Sequence, residues 1–162
     1  MKPYLCLLLL LLSAPALAMQ PLTLASLPQL QSQFAGKRHA LIFWSLSCVP
    51  CHQELKELAQ LPAAKTLPIS LINTDGQAQQ AEAKAFLARF GLQSLDNWVF
   101  ADAIPERLRA AFDSNWYGEL PRSYVVDEKG IRRGHSGKAD MTQLVSWLSA
   151  PAGAARIPPA AS

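Results

Sequence analysis

Two cysteines, Cys48 and Cys51, are separated by only two residues and have the spacing of a redox pair or a metal clip. Disulfides in exported proteins usually close long loops, because the entropy that a cross-link removes from the unfolded chain grows with loop length. A two-residue spacer closes almost no loop, so this pair makes a poor structural staple. The spacing therefore predicts a thiol–disulfide redox site or a metal site.

The first 18 residues have the pattern of a secretory signal peptide. A basic Lys2 precedes an apolar run over residues 5–12, and small residues follow up to Ala18. Cleavage after Ala18 would discard Cys6 and leave Cys48 and Cys51 as the cysteines of the mature chain. The apolar run is shorter than the ~20 residues of a membrane-spanning helix, so an uncleaved anchor is the weaker alternative. We expect export to an oxidising compartment such as the bacterial periplasm.

The cysteine pair lies where a predicted strand gives way to a predicted helix. Residues 40–44 form a continuous apolar run, which is typical of a strand covered on both faces. From Pro50 onward, apolar residues such as Cys51 and Leu55 recur at helical spacing. Unpaired backbone N–H groups and the helix dipole favour a thiolate at the helix start, which predicts Cys48 as the nucleophile. Cys51, one turn further, is placed to form a disulfide with it and to resolve mixed disulfides.

The rest of the chain alternates between helical and strand patterns. Further helices are predicted at residues 26–34, 79–90, 105–112 and 141–149, and further strands at 69–72, 98–100, 123–126 and 131–136. This alternation predicts one α/β domain over residues 20–149, with helices on both faces of a sheet. Residues 150–162 are rich in Ala and Pro and are expected to form a flexible tail. A formal net charge of +3 gives no electrostatic case for a nucleic-acid partner.

Two sequence blocks resemble those of a known family. Residues 43–55, FWSLSCVPCHQEL, are similar to the active-site segment of TlpA/ResA-like thioredoxins, commonly written FWASWCxPCxxE. Residues 118–130, GELPRSYVVDEKG, resemble the second block of that family, with its cis-proline, strand and D-x-x-G turn, and GHSG at 134–137 matches the end of the following strand. Two blocks in order are far more specific than a C-x-x-C alone. The resemblance implies a thioredoxin-like fold with a central mixed β-sheet.

The resemblance also implies roles for residues outside the cysteine pair. Pro121 would be cis and lie beside the cysteines, leaving the backbone of Leu120 free to bind substrate. Glu54 matches the carboxylate three residues after the second cysteine, where it would take the proton from Cys51 during exchange. The alternative for Glu54 is an ordinary solvent-facing helix position. Ile42 stands where ordinary thioredoxins carry a buried aspartate, which favours the TlpA/ResA branch.

The implied activity is dithiol–disulfide exchange with protein clients by a monomer that needs no cofactor. The family resemblance favours a reductase that a membrane electron donor keeps reduced, often in cytochrome c maturation. No histidine lies between the cysteines, and the short span from Cys51 to Pro121 has no room for the helical insertion of DsbA-like oxidants. Both observations argue against a strong oxidant.

Ser47 departs from the family pattern, which usually has tryptophan immediately before the first cysteine. The departure predicts a substrate groove of different shape, and Trp116 and Tyr117, shortly before Pro121, are candidates to line it.

His52 leaves two alternative functions open. Cys48-Val49-Pro50-Cys51-His52 matches C-x-x-C-H, the attachment motif of c-type haem. Alternatively, the two thiolates and His52 are soft ligands that suit a copper-handling protein. Against haem, the motif directly follows a buried strand and the second family block would go unexplained. His39 and His135 stand alone and add no ligand cluster, so no metal site is assigned.

Overall fold

The structure, a computed structural model, describes residues 19–151. Its strands are β1 (Gln20–Leu22), β2 (His39–Trp44), β3 (Ile69–Asn73), β4 (Asp96–Phe100), β5 (Arg122–Val126) and β6 (Arg132–Ser136). Its α-helices are α1 (Leu27–Ser32), α2 (Val49–Ala59), α3 (Gln80–Arg89), α4 (Pro105–Phe112) and α5 (Met141–Ser149), and short 3₁₀ helices span Pro62–Thr66 and Gln77–Gln79. The predicted signal peptide and most of the predicted tail, residues 152–162, lie outside the described residues.

The six strands form one mixed sheet in the order β1-β4-β3-β2-β5-β6. The first four strands in that order are parallel, and β5 and β6 each run antiparallel to the preceding neighbour. The central strand β2 is buried along its whole length, which accounts for its continuous apolar sequence. The predicted fold class, a mixed sheet of the α/β type, is confirmed.

A hydrophobic core covers each face of the sheet. Alternate residues of β2 point to opposite faces, so Ile42 and Trp44 enter one core while Leu41 and Phe43 enter the other. The first core is completed by α2, α3 and α5, and the second by α1 and α4. Burial of each large apolar side chain contributes about 1.5–3 kcal/mol. Helices on both faces are therefore present as predicted, and this packing holds β2 and α2 rigidly around the cysteine pair.

Three short elements were not predicted from the sequence, namely strand β1 and the 3₁₀ helices Pro62–Thr66 and Gln77–Gln79. Strand β1 pairs in parallel with β4 and places Leu22 in the core. The 3₁₀ helix Pro62–Thr66 follows α2, which ends at Ala59. Within residues 19–151, no helix is both long and apolar enough to cross a membrane.

Candidate active site

Cys48 and Cys51 form a disulfide at the point where β2 leads into α2. Their Cα atoms are 5.2 Å apart. Cys48 is the N-cap of α2, with extended backbone angles, and its Sγ accepts a hydrogen bond of 3.2 Å from the Cys51 backbone N–H. Cys51 is fully buried, whereas Cys48 is partly exposed. The geometry gives one sulfur that a partner can reach, at a helix N-terminus where the helix dipole and the Cys51 N–H favour a negative charge.

Pro121 lies at the same end of the sheet as the disulfide. The Leu120–Pro121 peptide bond is cis, which is the geometry that the family resemblance implies. Arg122, the first residue of β5, pairs with Phe43 near the end of β2, so Pro121 lies opposite the end of that strand. Leu120 and Cys48 pack against the same hydrophobic core. Strand pairing therefore brings the segment before β5 beside the cysteine pair, although about 70 residues separate them in sequence.

Polar contacts fix the segment that precedes Pro121. The indole N–H of Trp116 donates to the backbone oxygen of Glu119 at 2.9 Å, and the Glu119 carboxylate accepts from the Ser136 hydroxyl at 2.7 Å. Trp116 is buried in the second core, whereas Tyr117 is 88% exposed. Of the two candidates for lining a groove, only Tyr117 presents its side chain to the surface. The sequence did not reveal that Glu119 fixes this segment, because its partner Ser136 lies on β6.

Glu54 is buried one helical turn after Cys51. Its Oε1 accepts a hydrogen bond of 2.6 Å from the backbone N–H of Ala139, and its Oε2 is buried without a hydrogen-bond partner in the part of the chain that the structure describes. Burial raises the pKa of Glu54 to about 7, against the opposing effects of the Ala139 N–H and the positive charge of Lys138; Glu57 adds a small further rise. The solvent-facing alternative for Glu54 is therefore wrong.

The histidines do not form a ligand cluster. The ring of His52 packs 4.5 Å from that of Phe86. His39 is 3% exposed at the start of β2, where burial lowers its pKa despite a contact of 3.0 Å between Nδ1 and the Lys37 carbonyl. Within residues 19–151, no group of three or more His, Cys, Asp or Glu side chains is placed to hold a metal ion. A cation at this site would have the two thiolates of the reduced pair as its nearest soft ligands.

Comparison with solved structures identifies the fold. A secreted disulfide oxidoreductase of Mycobacterium tuberculosis, described as homologous to DsbE of Escherichia coli, is 18% identical with a TM-score of 0.52, covering 72% of this chain and 84% of that one. A thiol:disulfide interchange protein of Chlorobium tepidum is 18% identical with a TM-score of 0.53, covering 73% and 81%. A secreted thiol-disulfide isomerase of Corynebacterium glutamicum is 21% identical with a TM-score of 0.55, covering 71% and 70%.

No family model matches the chain, and no curated protein matches it in sequence. By fold, the protein is a thioredoxin-like α/β protein. Its structural neighbours include thiol-disulfide oxidoreductases, two of them described as secreted, and it carries a disulfide of C-x-x-C spacing at the start of α2.

Proposed function

We propose that the protein is an exported thiol:disulfide oxidoreductase that reduces protein disulfides in the periplasm. The observation that carries the proposal is the Cys48–Cys51 disulfide, with a partly exposed Cys48 at the N-terminus of α2 and a buried Cys51. An N-terminal helix position favours the thiolate, which is the nucleophile in disulfide exchange. The secreted neighbours and the leader pattern of residues 1–18 support export.

The reaction proceeds in two exchanges. The Cys48 thiolate attacks a client disulfide, forms a mixed disulfide with one client sulfur and releases the other as a thiolate. Cys51, after losing its proton, attacks the Cys48 sulfur, which re-forms the Cys48–Cys51 disulfide and releases the second client sulfur. Two electrons pass from the enzyme dithiol to the client, and an external dithiol donor restores the enzyme. Glu54 is the proposed acceptor of the Cys51 proton, because both side chains are buried one turn apart on α2.

Leu120 and Pro121 are the proposed client-binding residues. The backbone N–H and C=O of Leu120 form no hydrogen bond within residues 19–151, so both are available to an extended client segment. The carbonyl of Pro121 accepts from the Gly137 N–H at 2.9 Å, which fixes the segment in place. Client binding here would bring a disulfide next to Cys48.

The proposed direction is reduction, with a membrane electron donor and a monomeric enzyme. The absence of histidine between Cys48 and Cys51 and the resemblance to TlpA/ResA-like thioredoxins support this direction. Cytochrome c maturation is the proposed pathway on the same resemblance.

Cysteine substitutions test the proposal. The reduced protein should reduce the disulfides of insulin with dithiothreitol as donor. Cys51→Ser should trap mixed disulfides through Cys48, because the resolving thiol is gone, and Cys48→Ser should trap few. Non-reducing electrophoresis and mass spectrometry of cells that express each variant would measure the trapped species.

Expression in a host that attaches haem covalently provides the control. The proposed function predicts a colourless protein. A covalent haem spectrum that Cys51→Ser abolishes would instead establish the c-type haem alternative. Stoichiometric copper binding without insulin reduction would establish the metal-handling one.

A further inference from the structure

Ser47, which departs from the family pattern, belongs to a hydrogen-bond chain that ends at Asp75 in the loop after β3. The Ser45 hydroxyl donates to Oδ1 of Asp75 at 2.5 Å, and the Leu46 backbone N–H donates to Oδ2 at 2.7 Å. These bonds tie the segment that leads into Cys48 to a different loop, 30 residues away in sequence.

The direction of the chain follows from counting protons. A serine hydroxyl has one proton to donate and two lone pairs to accept. The proton of Ser45 goes to Asp75, so Ser45 Oγ accepts both the backbone N–H of Ser47 at 3.1 Å and the hydroxyl of Ser47 at 2.9 Å. Ser47 therefore donates two hydrogen bonds to Ser45 Oγ, and Ser45 in turn donates to the Asp75 carboxylate. This arrangement fixes the residue immediately before Cys48.

Asp75 is itself held in one orientation. The Asn73 side-chain amide donates to Oδ2 at 2.7 Å, and Asn73 Oδ1 accepts from the Asp75 backbone N–H at 3.1 Å. Asn73 is fully buried, which makes this support rigid. No Lys, Arg or His within residues 19–151 forms an ion pair with Asp75. The carboxylate is thus satisfied by neutral donors, and no ion pair offsets its negative charge.

We infer that Asp75 is a positioning residue that orients the segment before Cys48 and, through its charge, makes the Cys48–Cys51 couple more reducing. A carboxylate close to the Cys48 loop raises the free energy of the thiolate by like-charge repulsion and opposes the helix dipole. The disulfide carries no charge, so the repulsion acts on the reduced state alone. A less stable dithiol gives up its electrons more readily. This inference rests on the proposed function and specifies how the site sets its direction.

Other charged or titratable groups also meet at this end of the sheet. They are His52 and Glu54 on α2, Glu119 and Arg122 on either side of Pro121, and Lys138 in the loop before α5. Asp75→Asn leaves all of them in place, so a change in the Cys48–Cys51 dithiol–disulfide equilibrium would result from the change at Asp75.

The test compares Asp75→Asn with Asp96→Asn. The Asp96 carboxylate also accepts from a hydroxyl and an indole, Ser70 at 2.5 Å and Trp98 at 2.7 Å, but it lies at the start of β4, at the opposite end of the sheet from Cys48. Each protein is equilibrated with glutathione buffers and quenched by alkylation. The fractions of dithiol and disulfide protein are then measured. The alkylation rate of Cys48 is also measured against pH.

Asp75→Asn is expected to shift the equilibrium about three- to tenfold toward the dithiol, where tenfold corresponds to about 30 mV for a two-electron couple. Cys48 alkylation should reach half its maximum at lower pH. Asp96→Asn should lower stability and leave both measurements unchanged. Asp75→Glu keeps the charge and should stay close to the parent, while Asp75→Ser, neutral and smaller, should shift in the direction of Asp75→Asn.

The experiment distinguishes failure of the proposed function from failure of the inference on Asp75. A parent protein that does not cycle between dithiol and disulfide would refute the proposed function. If the parent cycles, the inference on Asp75 is overturned when the neutral variants keep the parent's potential and alkylation profile, or when Asp96→Asn shifts them equally.

Discussion

Glu54 places an ionisable group in the protein interior, one helical turn from the resolving cysteine. Burial costs the charged form its hydration, so its pKa rises to about 7, and the single N–H of Ala139 does not offset that cost. A carboxyl group that titrates near neutrality can both accept and return a proton under working conditions. The same property makes Glu54 a source of pH-dependent stability.

The stability effect has a definite sign. Between the ordinary value of 4.5 and about 7, the unfolded state releases the Glu54 proton while the folded state keeps it. Its contribution to stability is therefore fully present below pH 4.5 and is lost as the pH rises to about 7. Relative to Glu54→Gln, the free energy of unfolding of the parent should fall by up to about 3 kcal/mol across this range. Urea unfolding of both proteins at pH 4, 5.5 and 7 would measure it; a constant difference would contradict the pKa shift.

The kinetic effect of the same substitution is separate. Glu54→Gln keeps the size of the side chain but removes the base, so resolution of the mixed disulfide should slow by about 100-fold or more near neutral pH. Attack by Cys48 should not slow, because removing a nearby carboxylate favours its thiolate. Stopped-flow reduction of a chromogenic disulfide resolves the two steps. Glu57→Gln, which changes a partly exposed acid on the same helix that pairs with Lys138, is the control. Equal slowing in both variants would remove Glu54 from the proposed mechanism.

At the scale of elements, Arg122 of the β5–β6 hairpin forms ion pairs with Asp113 and Glu119 beside Pro121. Arg122 Nη2 binds Asp113 Oδ2 at 2.9 Å, and Gly134 on β6 lies directly beneath that guanidinium. A Cβ at Gly134 would meet Arg122 Nη2 at 2.6 Å and Tyr124 Cε1 at 2.9 Å. Gly134→Ala should therefore cost about 1–3 kcal/mol by overpacking, measured by chemical denaturation.

A second glycine separates crowding from backbone strain. Gly130, in the hairpin turn, has a φ of +80°, and no atom lies within 4 Å of the place that a Cβ would occupy there. Gly130→Ala should cost about 1–2 kcal/mol through its left-handed backbone alone. In an Arg122→Ala background, the penalty of Gly134→Ala should shrink while that of Gly130→Ala stays. If Gly134→Ala costs the same stability in both backgrounds, Arg122 does not crowd Gly134.

Elements with strong local patterns could be predicted from the sequence, and contacts between distant residues could not. The continuous apolar run of β2 and the helical spacing after Pro50 predicted both elements that hold the cysteines. Strand β1 was missed because three residues that include Pro21 have no periodicity, and their pairing with β4 defines the strand. Likewise, no local pattern joins Ser45 to Asp75, since only the parallel pairing of β2 with β3 brings their loops together.

At the scale of the whole molecule, the predicted leader and the folded domain meet at Met19. Met19 is 3% exposed and packs in the first core, and its carbonyl accepts from the Gln80 side chain at 3.3 Å. Cleavage after Ala18 would retain this side chain, whereas cleavage beyond Leu22 would remove β1 as well. Loss of a buried Met side chain typically costs about 2–5 kcal/mol. Cleavage after Ala18 would therefore leave the described fold intact.

The exported protein should accordingly begin at Met19. Intact-mass measurement of periplasmic protein would identify the first residue, because small residues at Ala16 and Ala18 fit the specificity of the processing enzyme. Ala18→Gln should block cleavage and accumulate a precursor in the membrane fraction, while Ala14→Gln, outside the cleavage motif, should be processed normally. A membrane-bound parent protein that still contains Lys2 would contradict cleavage and establish the anchor. A mature chain that begins after Leu22 would contradict the role of β1 in the fold.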